Sequence, residues 1–384
     1  MEKTVDTEKL PIKLWLNDLE EGAFEQAKNL ANLPIAYKHI AIMPDSHQGY
    51  GMPIGGVLAT ENAIIPNAVG VDIGCGMCSL KSDKTEISQE DLKEIMSLAR
   101  DRIPVGFNHH DDKQDKNWMP ELNDNLPISE QEYESAHYQV GTLGGGNHFI
   151  EIQKGSDGYI WIMIHSGSRN IGYTVAGHYN KKAKSLLKNM NADVPKDLAW
   201  FPNDSEEFHL YYNEMEFCIE FALANRKLMM ERMKESFTDI LGSVEFSDFI
   251  NKPHNFAARE NHFGKSLIVH RKGATRARKG ELGMIPGSQG APSYIVRGKG
   301  NEDSFESCAH GAGRVMSRTQ AKKTLSIQEE TKKLKELGVI HAVRHKSDLD
   351  EAPGSYKDIR NVMNLQQDLI DIEIELQPLA VIKG

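Results

Sequence analysis

The residues of this 384-residue chain that are best suited to chemistry are an acid, a thiol and several histidines. Asp72 and Cys75 stand three positions apart in VDIGCGM, where the glycines let the backbone turn. They offer a hard carboxylate oxygen and a soft thiolate. His148, His165 and His270 each follow an apolar run or a glycine-rich turn. Each histidine taken alone is typical of a core residue, but the five side chains together predict a site for two divalent ions, and their chemistry fits manganese, zinc or iron.

A sixth residue with reactive potential is His310, in the segment CAHGAGR. It precedes Gly311, Ala312 and Gly313, so its ring is expected where backbone N–H groups can approach a phosphate, with Arg314 to neutralise charge. On these residues alone, His310 is either part of a phosphate site or another metal ligand. The upstream loop IPGSQGAPSYIV carries hydroxyls and amides suited to a nucleotide, although an ordinary surface turn has the same composition.

These side chains must be positioned by an irregular set of helices and strands. Apolar periodicity predicts helices over Leu19–Leu30, Glu90–Ile103 and Asp204–Lys234, the last with a capping box from Asp204 and Glu207. Strands are predicted over His39–Met43, Tyr159–Ile164 and Ser266–Val269, and the last two end just before His165 and His270. No regular β-α-β alternation is present. We therefore expect an α+β fold with an irregular mixed sheet and a central metal- and nucleotide-binding cleft, formed by a single domain over residues 1–384.

The composition bounds the class of protein. With 39% hydrophobic and 26% charged residues, the chain is globular and has enough apolar material for a large core. Four cysteines and the lack of an 18-residue apolar run argue against a secreted disulfide framework or a membrane protein and predict a cytoplasmic location. The net charge of −10 means that any phosphate site must be local. Four residues of two locally basic stretches are predicted to line a cleft and hold phosphates: Arg271, Lys272, Arg276 and Arg314.

Several motifs in order resemble one known family. No Walker motif, no Lys-x-Asp-Gly and no Gly-x-Ser-x-Gly occurs, which excludes three common ways of activating a nucleotide or an acyl group. Instead, the chain resembles the RtcB family of RNA-splicing ligases from about residue 40 to its C-terminus. The matching segments are MPDSHQGYGMPIG, NAVGVDIGCGM, GTLGGGNHFIE, HSGSRNIG, VHRKGATRA, PGSQG, SCAHGAGR, DEAPGSYKD and VIKG.

The resemblance implies a reaction and assigns roles to residues. It implies an α+β fold and an enzyme that uses two Mn²⁺ ions and GTP to join an RNA 3′-phosphate or 2′,3′-cyclic phosphate end to a 5′-hydroxyl end through a guanylyl-histidine. His310 would be the guanylylated nucleophile, Cys75 would bridge the metals, and Asp45 and His47 are expected near the site. The metal ligands implied are Asp72, Cys75, His148, His165 and His270. The GTP or GMP contacts implied are Asn147, His148, Phe149, Ile150, Glu151, His270, Pro286, Gly287, Ser288, Gln289, Ser293, His310, Gly311, Ala312, Gly313 and Lys383, with Glu151 and Lys383 recognising guanine.

Two departures from the family pattern bear on the substrate. Gln289 and Pro292 replace the residues more usual in PGSMG-type loops, and the chain is short after Val105, which suggests a bacterial RNA-repair member with its own preference for RNA ends. RNA and GTP are the expected partners, an archease-type activator is a further one, and a monomer is expected. Two alternatives stay open: a metal-dependent phosphodiesterase that only opens cyclic phosphates, against which His310 and Lys383 argue, and a non-catalytic RNA-end-binding factor.

Overall fold

The computed structural model describes residues 1–123, 125–189 and 194–384. The helices are α1 (Glu21–Ala31), α2 (Pro66–Val69), α3 (Gln89–Arg102), α4 (Pro127–Ala136), α5 (Arg169–Asn189), α6 (Glu206–Leu241), α7 (Arg318–Thr324), α8 (Ile327–Glu336) and α9 (Ile359–Asn364). The strands are β1 (Lys3–Val5), β2 (Ile12–Leu14), β3 (Ala36–Tyr50), β4 (Met52–Thr60), β5 (Ala63–Ile64), β6 (Gly76–Ser82), β7 (Phe149–Gly155), β8 (Ile160–Ser166), β9 (Phe201–Pro202), β10 (Phe246–Pro253), β11 (Asn255–His262), β12 (Lys265–Lys272), β13 (Ala274–Arg276), β14 (Leu282–Ile285), β15 (Ser293–Gly298), β16 (Ser307–Ala309) and β17 (Ile370–Lys383). Short 3-10 helices cover Lys116–Trp118, Lys196–Leu198, Glu302–Ser304, Lys346–Glu351 and Pro353–Ser355.

Two large sheets organise the molecule. One has six strands in the order β1-β2-β3-β4-β12-β11, and the other has seven in the order β10-β6-β8-β7-β17-β15-β14. The β2–β3 pair is parallel and the other ladders of these two sheets are antiparallel. Helices intermix with these strands without βαβ units, so the predicted α+β mixed-sheet class is confirmed. Strands from both ends of the chain enter the sheets. This arrangement is what a single domain would have, and the single-domain organisation itself stays a prediction.

Successive side chains of the seven-stranded sheet alternate between its two faces, and this alternation decides which of them enter the core. Ile150, Ile152, Ile162 and Ile164 are buried on the face that packs against α3 and α6. Successive residues of a strand point to opposite faces, so the odd-numbered residues beside them lie on the other face. The side chain of Ile150 therefore belongs to the core and only its backbone faces the neighbouring strands, so its assignment as a nucleotide contact stays a prediction.

The predicted helices and strands are found with shifted ends. The longest helix begins at Glu206 and not at Asp204, because the Ser205 hydroxyl accepts a hydrogen bond from the Phe208 N–H and caps it. It continues to Leu241, well beyond the predicted end. In the part of the chain that the structure describes, no helix combines the length and apolarity needed to cross a membrane.

Candidate active site

Four of the five predicted metal ligands meet where three strands of the seven-stranded sheet begin or end. Strand β6 begins directly after Cys75, and its Met77 pairs with His165 near the end of β8. His165 also pairs with Phe149, the first residue of β7, so His148 lies beside the same corner. Asp72 follows from the turn before β6. Sheet register thus brings together residues far apart in sequence.

The ligand atoms of this corner lie close together. Sγ of Cys75 is 3.2 Å from Nε2 of His165 and 3.5 Å from Nε2 of His148. Nε2 of His148 is 3.1 Å from Oδ2 of Asp72. Nε2 of His165 is 3.3 Å from Nε2 of His254, which follows β10 and was not predicted. We call Asp72, Cys75, His148, His165 and His254 the metal cluster.

The chemistry of the metal cluster fits bound cations. Nδ1 of His148 donates to the Leu143 carbonyl at 3.0 Å, and Nδ1 of His165 donates to the Asn147 carbonyl at 3.1 Å. Each bond turns an unprotonated Nε2 toward the other donors, which is the arrangement that backbone carbonyls impose on metal-ligating histidines. Lone pairs brought this close repel each other unless a cation lies between them. The set of one carboxylate, one thiol and three imidazoles suits a transition metal such as Mn²⁺ or Zn²⁺.

Burial and neighbouring charge shift the proton affinities of the metal cluster. Burial acts to raise the pKa of the Asp72 carboxyl, but the adjacent His148 outweighs it and lowers that pKa to about 2. Burial, with the charge of Asp72, raises the pKa of the Cys75 thiol well above its usual value. Burial lowers the pKa of His165 and of His254 well below the usual value. His165 and His254 are therefore neutral, as metal ligation requires, while the thiol needs a cation to lose its proton.

His270 does not join the metal cluster, and its prediction as a metal and nucleotide ligand is wrong. It pairs with Leu58 in the interior of the six-stranded sheet. Its Nδ1 donates to the Leu58 carbonyl at 3.2 Å, and its Nε2 accepts from the Ile65 N–H at 3.0 Å. Both ring nitrogens are thus used by the backbone. His254 supplies the third imidazole instead, and the signal that could have found it is its place in NKPHN, between a proline that ends a strand and a polar turn.

His310 is held by a buried carboxylate. Its Nδ1 donates to Oδ2 of Asp45 at 2.6 Å, and the same oxygen accepts from the backbone N–H groups of His310 and Gly311 at 3.1 and 3.2 Å. The ring of His310 lies edge-on to that of His254, with centroids 4.8 Å apart. Asp45 therefore fixes the tautomer that leaves Nε2 of His310 unprotonated, and this atom lies beside the metal cluster.

His310 and most of the metal cluster line a cleft of about 310 Å³, together with the loop that contains Pro286, Gly287 and Ser288. The predicted nucleotide contacts that line it are Asn147, Phe149, Glu151, Pro286, Gly287, Ser288, Gln289, His310, Gly311, Ala312, Gly313 and Lys383. His47 lines it as well. Ser293 lies behind the lining, where its hydroxyl accepts from the Gly287 N–H at 3.2 Å and supports the loop.

The far end of the cleft is strongly charged. Burial raises the pKa of Glu151 to about 8. Lys383 donates to Oε2 of Glu351 at 2.8 Å, and Arg318 and Tyr356 also bond to this carboxylate. Glu351, Arg318 and Tyr356 line the cleft but were not predicted. Glu351 and Tyr356 belong to DEAPGSYKD, which matched the family pattern and was the available signal, whereas Arg318 lies outside that segment.

Comparison with known proteins decides the family. The family model described as "tRNA-splicing ligase RtcB" matches residues 26–125 and 116–384. The chain belongs to the RtcB family. It is 39% identical to the RNA-splicing ligase RtcB of Escherichia coli strain K12, over 98% of each chain. It is 32% identical to the tRNA-splicing ligase RtcB of Nanoarchaeum equitans, over 98% of this chain and 95% of that one.

The unusual Gln289 of this RtcB-family chain has a structural role. It is buried, its amide donates to the Glu351 carbonyl at 3.0 Å, and its side-chain oxygen accepts from the Ala342 N–H at 3.0 Å. The residue therefore ties the PGSQG loop to the segment that carries Glu351. Since both ends of the amide are used, Gln289 shapes the wall of the cleft through the backbone it holds.

Of the four basic residues predicted to line a cleft and hold phosphates in this RtcB-family chain, only Arg314 lines the cleft, and its contact with phosphate stays a prediction. Arg271 is fully buried and forms two hydrogen bonds to Glu260, at 2.7 and 3.0 Å. Lys272 is buried and donates to backbone carbonyls of Tyr50 and Asn67. Arg276 is paired with Glu281. Neighbouring carboxylates and carbonyls pair with Arg271, Lys272 and Arg276. The local sequence does not reveal these partners, because they lie in other segments or depend on the fold.

The buried pair makes Arg271 a determinant of stability. Arg271→Ala should lower the free energy of unfolding by about 3–5 kcal/mol, because it removes the buried guanidinium that compensates the charge of Glu260 and leaves His262 as its remaining buried partner. Chemical denaturation at pH 7 measures this loss. The matched control is Arg297→Ala, whose pair with Glu373 is exposed and should cost at most about 1 kcal/mol. Equal losses in the two variants would contradict the prediction.

The same pair predicts how stability depends on pH. Burial alone would raise the pKa of Glu260, but the Arg271 guanidinium holds that pKa well below its usual range. A carboxylate with a depressed folded-state pKa stabilises the fold fully above its unfolded pKa of about 4.3, and this contribution is lost as the pH falls further. Arg271→Ala should therefore lose less stability than the parent protein between pH 5 and pH 3.

Proposed function

We propose that this RNA ligase joins RNA 3′-phosphate or 2′,3′-cyclic phosphate ends to 5′-hydroxyl ends, using GTP and Mn²⁺ and a guanylate carried on His310. The observation that carries the proposal is the position of the His310 ring. Asp45 holds its Nδ1–H at 2.6 Å, so the Nε2 lone pair is free in the cleft between the nucleotide-lining loops and the metal cluster.

His310 is suited to attack the α-phosphorus of GTP. Its unprotonated Nε2 forms the new P–N bond while the bond from phosphorus to the bridging oxygen breaks and pyrophosphate leaves. The buried Asp45 carboxylate stabilises the positive charge that develops on the imidazole during attack, as an orienting carboxylate does for a catalytic histidine. The product is a histidine-linked GMP on this chain.

The metal cluster is the proposed binding site for manganese. Asp72, Cys75, His148, His165 and His254 would hold the ions, and Cys75 lies within 3.5 Å of two of the imidazoles. When bound, such ions neutralise phosphate oxygens and help orient attacking and leaving groups. The chain's own contribution is to keep His165 and His254 neutral and to turn the Nε2 atoms of His148 and His165 inward through their Nδ1 hydrogen bonds.

The charged end of the cleft is the proposed guanine site. Glu151 and Lys383 lie on neighbouring strands, where Lys383 pairs with Phe149, and both face the cleft. With a pKa of about 8, Glu151 is largely protonated at pH 7 before a nucleotide binds. The N1–H and N2–H donors of guanine favour its carboxylate form, which accepts from both, whereas adenine offers an acceptor at N1. Lys383 supplies a donor for the guanine oxygen. This pairing favours GTP over ATP.

Sealing then follows from the transferred guanylate. An oxygen of the RNA 3′-phosphate attacks the GMP phosphorus, the P–N bond breaks and His310 is regenerated. The 5′-hydroxyl of the second strand attacks the activated 3′-phosphorus and expels GMP, which leaves a phosphodiester. A cyclic phosphate must first be opened by water.

A monomeric state, a cytoplasmic location and an archease-type activator stay predictions.

Incubation with α-labelled GTP and Mn²⁺, followed by a denaturing gel, tests the proposal. We expect a labelled protein band, and we expect ligation of RNA with 3′-phosphate and 5′-hydroxyl ends only when GTP is present. Opening of cyclic phosphates with no labelled protein and no need for GTP would identify the phosphodiesterase instead. RNA binding with neither activity would identify the RNA-end-binding factor.

Asp45→Ala should slow formation of the labelled protein by about 10²–10⁴-fold, since the tautomer of His310 is no longer fixed. The measurement is the single-turnover rate of guanylate transfer to the protein. RNA that already carries a 3′-guanylate should still be sealed, which separates this effect from general unfolding. Asp45→Asn keeps an acceptor oxygen and should retain more activity than Asp45→Ala. Loss of both steps to the same extent would show that Asp45 serves the fold only.

A further inference from the structure

The aromatic ring of Phe107 does not pack against the rest of the protein. Phe107 is 99% exposed, although a phenylalanine ring ordinarily gains stability from burial. It follows Gly106, whose φ of 66° lies in the region that favours glycine. The chain therefore turns outward at this point and presents the ring to solvent.

The loop that carries Phe107 is held on both sides. The Gly106 N–H donates to the Gly144 carbonyl at 3.0 Å, and the His110 N–H donates to the Tyr138 carbonyl at 3.0 Å. These bonds anchor the residues that flank the ring. A ring on an anchored backbone loses little conformational freedom when a ligand binds it.

The backbone beside Phe107 is linked to the surroundings of the metal cluster. Nη2 of Arg169 donates to the Gly106 carbonyl at 3.3 Å. A Cβ built on Gly144 would collide with Nη1 of Arg169 and would lie 2.8 Å from Nδ1 of His148, so this glycine contacts both side chains. One guanidinium thus connects the Phe107 loop to a residue of the metal cluster.

Two further exposed apolar side chains belong to the segments that carry Asp72 and Arg169. Val71, the neighbour of Asp72, is 50% exposed. Tyr173, 64% exposed, stands one helical turn after Arg169 on the same face of α5. Exposed rings around a cation are the arrangement that proteins use to bind single-stranded nucleic acid, with bases stacked on the rings and phosphates near the cation.

We infer that Phe107 is a stacking platform for a nucleobase of the RNA strand that reaches the metal cluster. The inference rests on the proposed function in that it takes single-stranded RNA ends as the substrate. A lone ring is far too small for a protein partner, since specific protein interfaces bury more than about 1,000 Å². Stacking accepts every base, so the platform holds the strand regardless of its sequence.

Binding of a short single-stranded RNA with a 5′-hydroxyl, measured by fluorescence anisotropy, tests the inference. Phe107→Ala should weaken binding by about tenfold, and Phe107→Trp should bind at least as tightly as the parent protein. The RNA is then replaced by a series with one abasic position each. At the stacked position, Phe107→Ala and the parent protein should bind the abasic strand equally.

The controls keep each outcome informative. Phe249→Ala removes a ring that is 44% exposed on edge strand β10 and should leave RNA binding unchanged. Phe107→Ala should keep the thermal midpoint of the parent protein, because the ring has no packing to lose. Unchanged RNA affinity in Phe107→Ala, or an equal loss for every abasic strand, would overturn the inference. Failure of the proposed nucleotide chemistry would appear separately, as a missing GTP label on the parent protein without RNA.

Discussion

His310→Ala should form no covalent guanylate adduct and should seal no RNA 3′-phosphate. The expected loss is complete within detection, at least about 10⁴-fold, because no other side chain in the described cleft offers an unprotonated nitrogen fixed by a buried carboxylate. The measurement is transfer of labelled GMP to the protein, read on a denaturing gel. RNA that already carries a 3′-guanylate should still be joined, since that step needs only the metals and positioning.

Metal binding by the same variant separates the two roles that His310 could have. His310→Ala should bind Mn²⁺ almost as the parent protein does, because its Nδ1 is used by Asp45 and the metal cluster consists of other residues. A labelled protein band from His310→Ala would show that another residue carries the guanylate. Loss of metal as severe as in His254→Ala would make His310 a ligand and not the nucleophile.

His254→Ala and His270→Ala should have opposite effects. His254→Ala should lower Mn²⁺ affinity by more than about 100-fold and abolish ligation, since it removes one imidazole of the metal cluster. His270→Ala should keep the metal site but lower the free energy of unfolding by about 1–3 kcal/mol, because the buried Ile65 N–H loses its acceptor. Calorimetric titration with Mn²⁺ and chemical denaturation measure the two quantities.

The rise in thermal midpoint on adding Mn²⁺ gives an internal check on this pair. An ion that binds only the folded state stabilises it in proportion to the logarithm of its concentration over Kd. His270→Ala should show the rise of the parent protein from a lower starting midpoint, and His254→Ala should show none at the same concentration. The reverse pattern would restore His270 as the ligand.

The sequence was most informative where chemistry depends on residue type and local spacing. Asp72 and Cys75 lie in one turn, His148 follows a glycine-rich turn and His165 follows a readable apolar run, so residue types and spacing placed these four in the predicted site. The reactive position of His310 followed from the small residues after it together with the family motifs. The α+β class also followed, because the irregular alternation of periodicities excludes a βαβ repeat.

The sequence did not predict contacts between segments that are far apart in the chain. His254 and His270 both stand near strand ends, but only sheet register shows that His270 pairs with Leu58 inside the six-stranded sheet while the His254 ring contacts His165. Asp45 reaches His310 across 265 positions. Arg271 looked like a phosphate ligand, and Glu260 neutralises it in the core.

There is a physical reason why the sequence indicates some of these features and only the tertiary structure shows the others. A side chain's chemistry and the turn or strand around it depend on nearby residues, which a single sequence contains. The direction in which a ring points and the partner of a buried charge depend on pairing register and packing between segments far apart in the chain. A shift of one residue in register would turn His165 and Glu151 to the opposite face of their sheet. Motif and composition therefore indicated the kind of site, and the packed sheets decided which histidines form it.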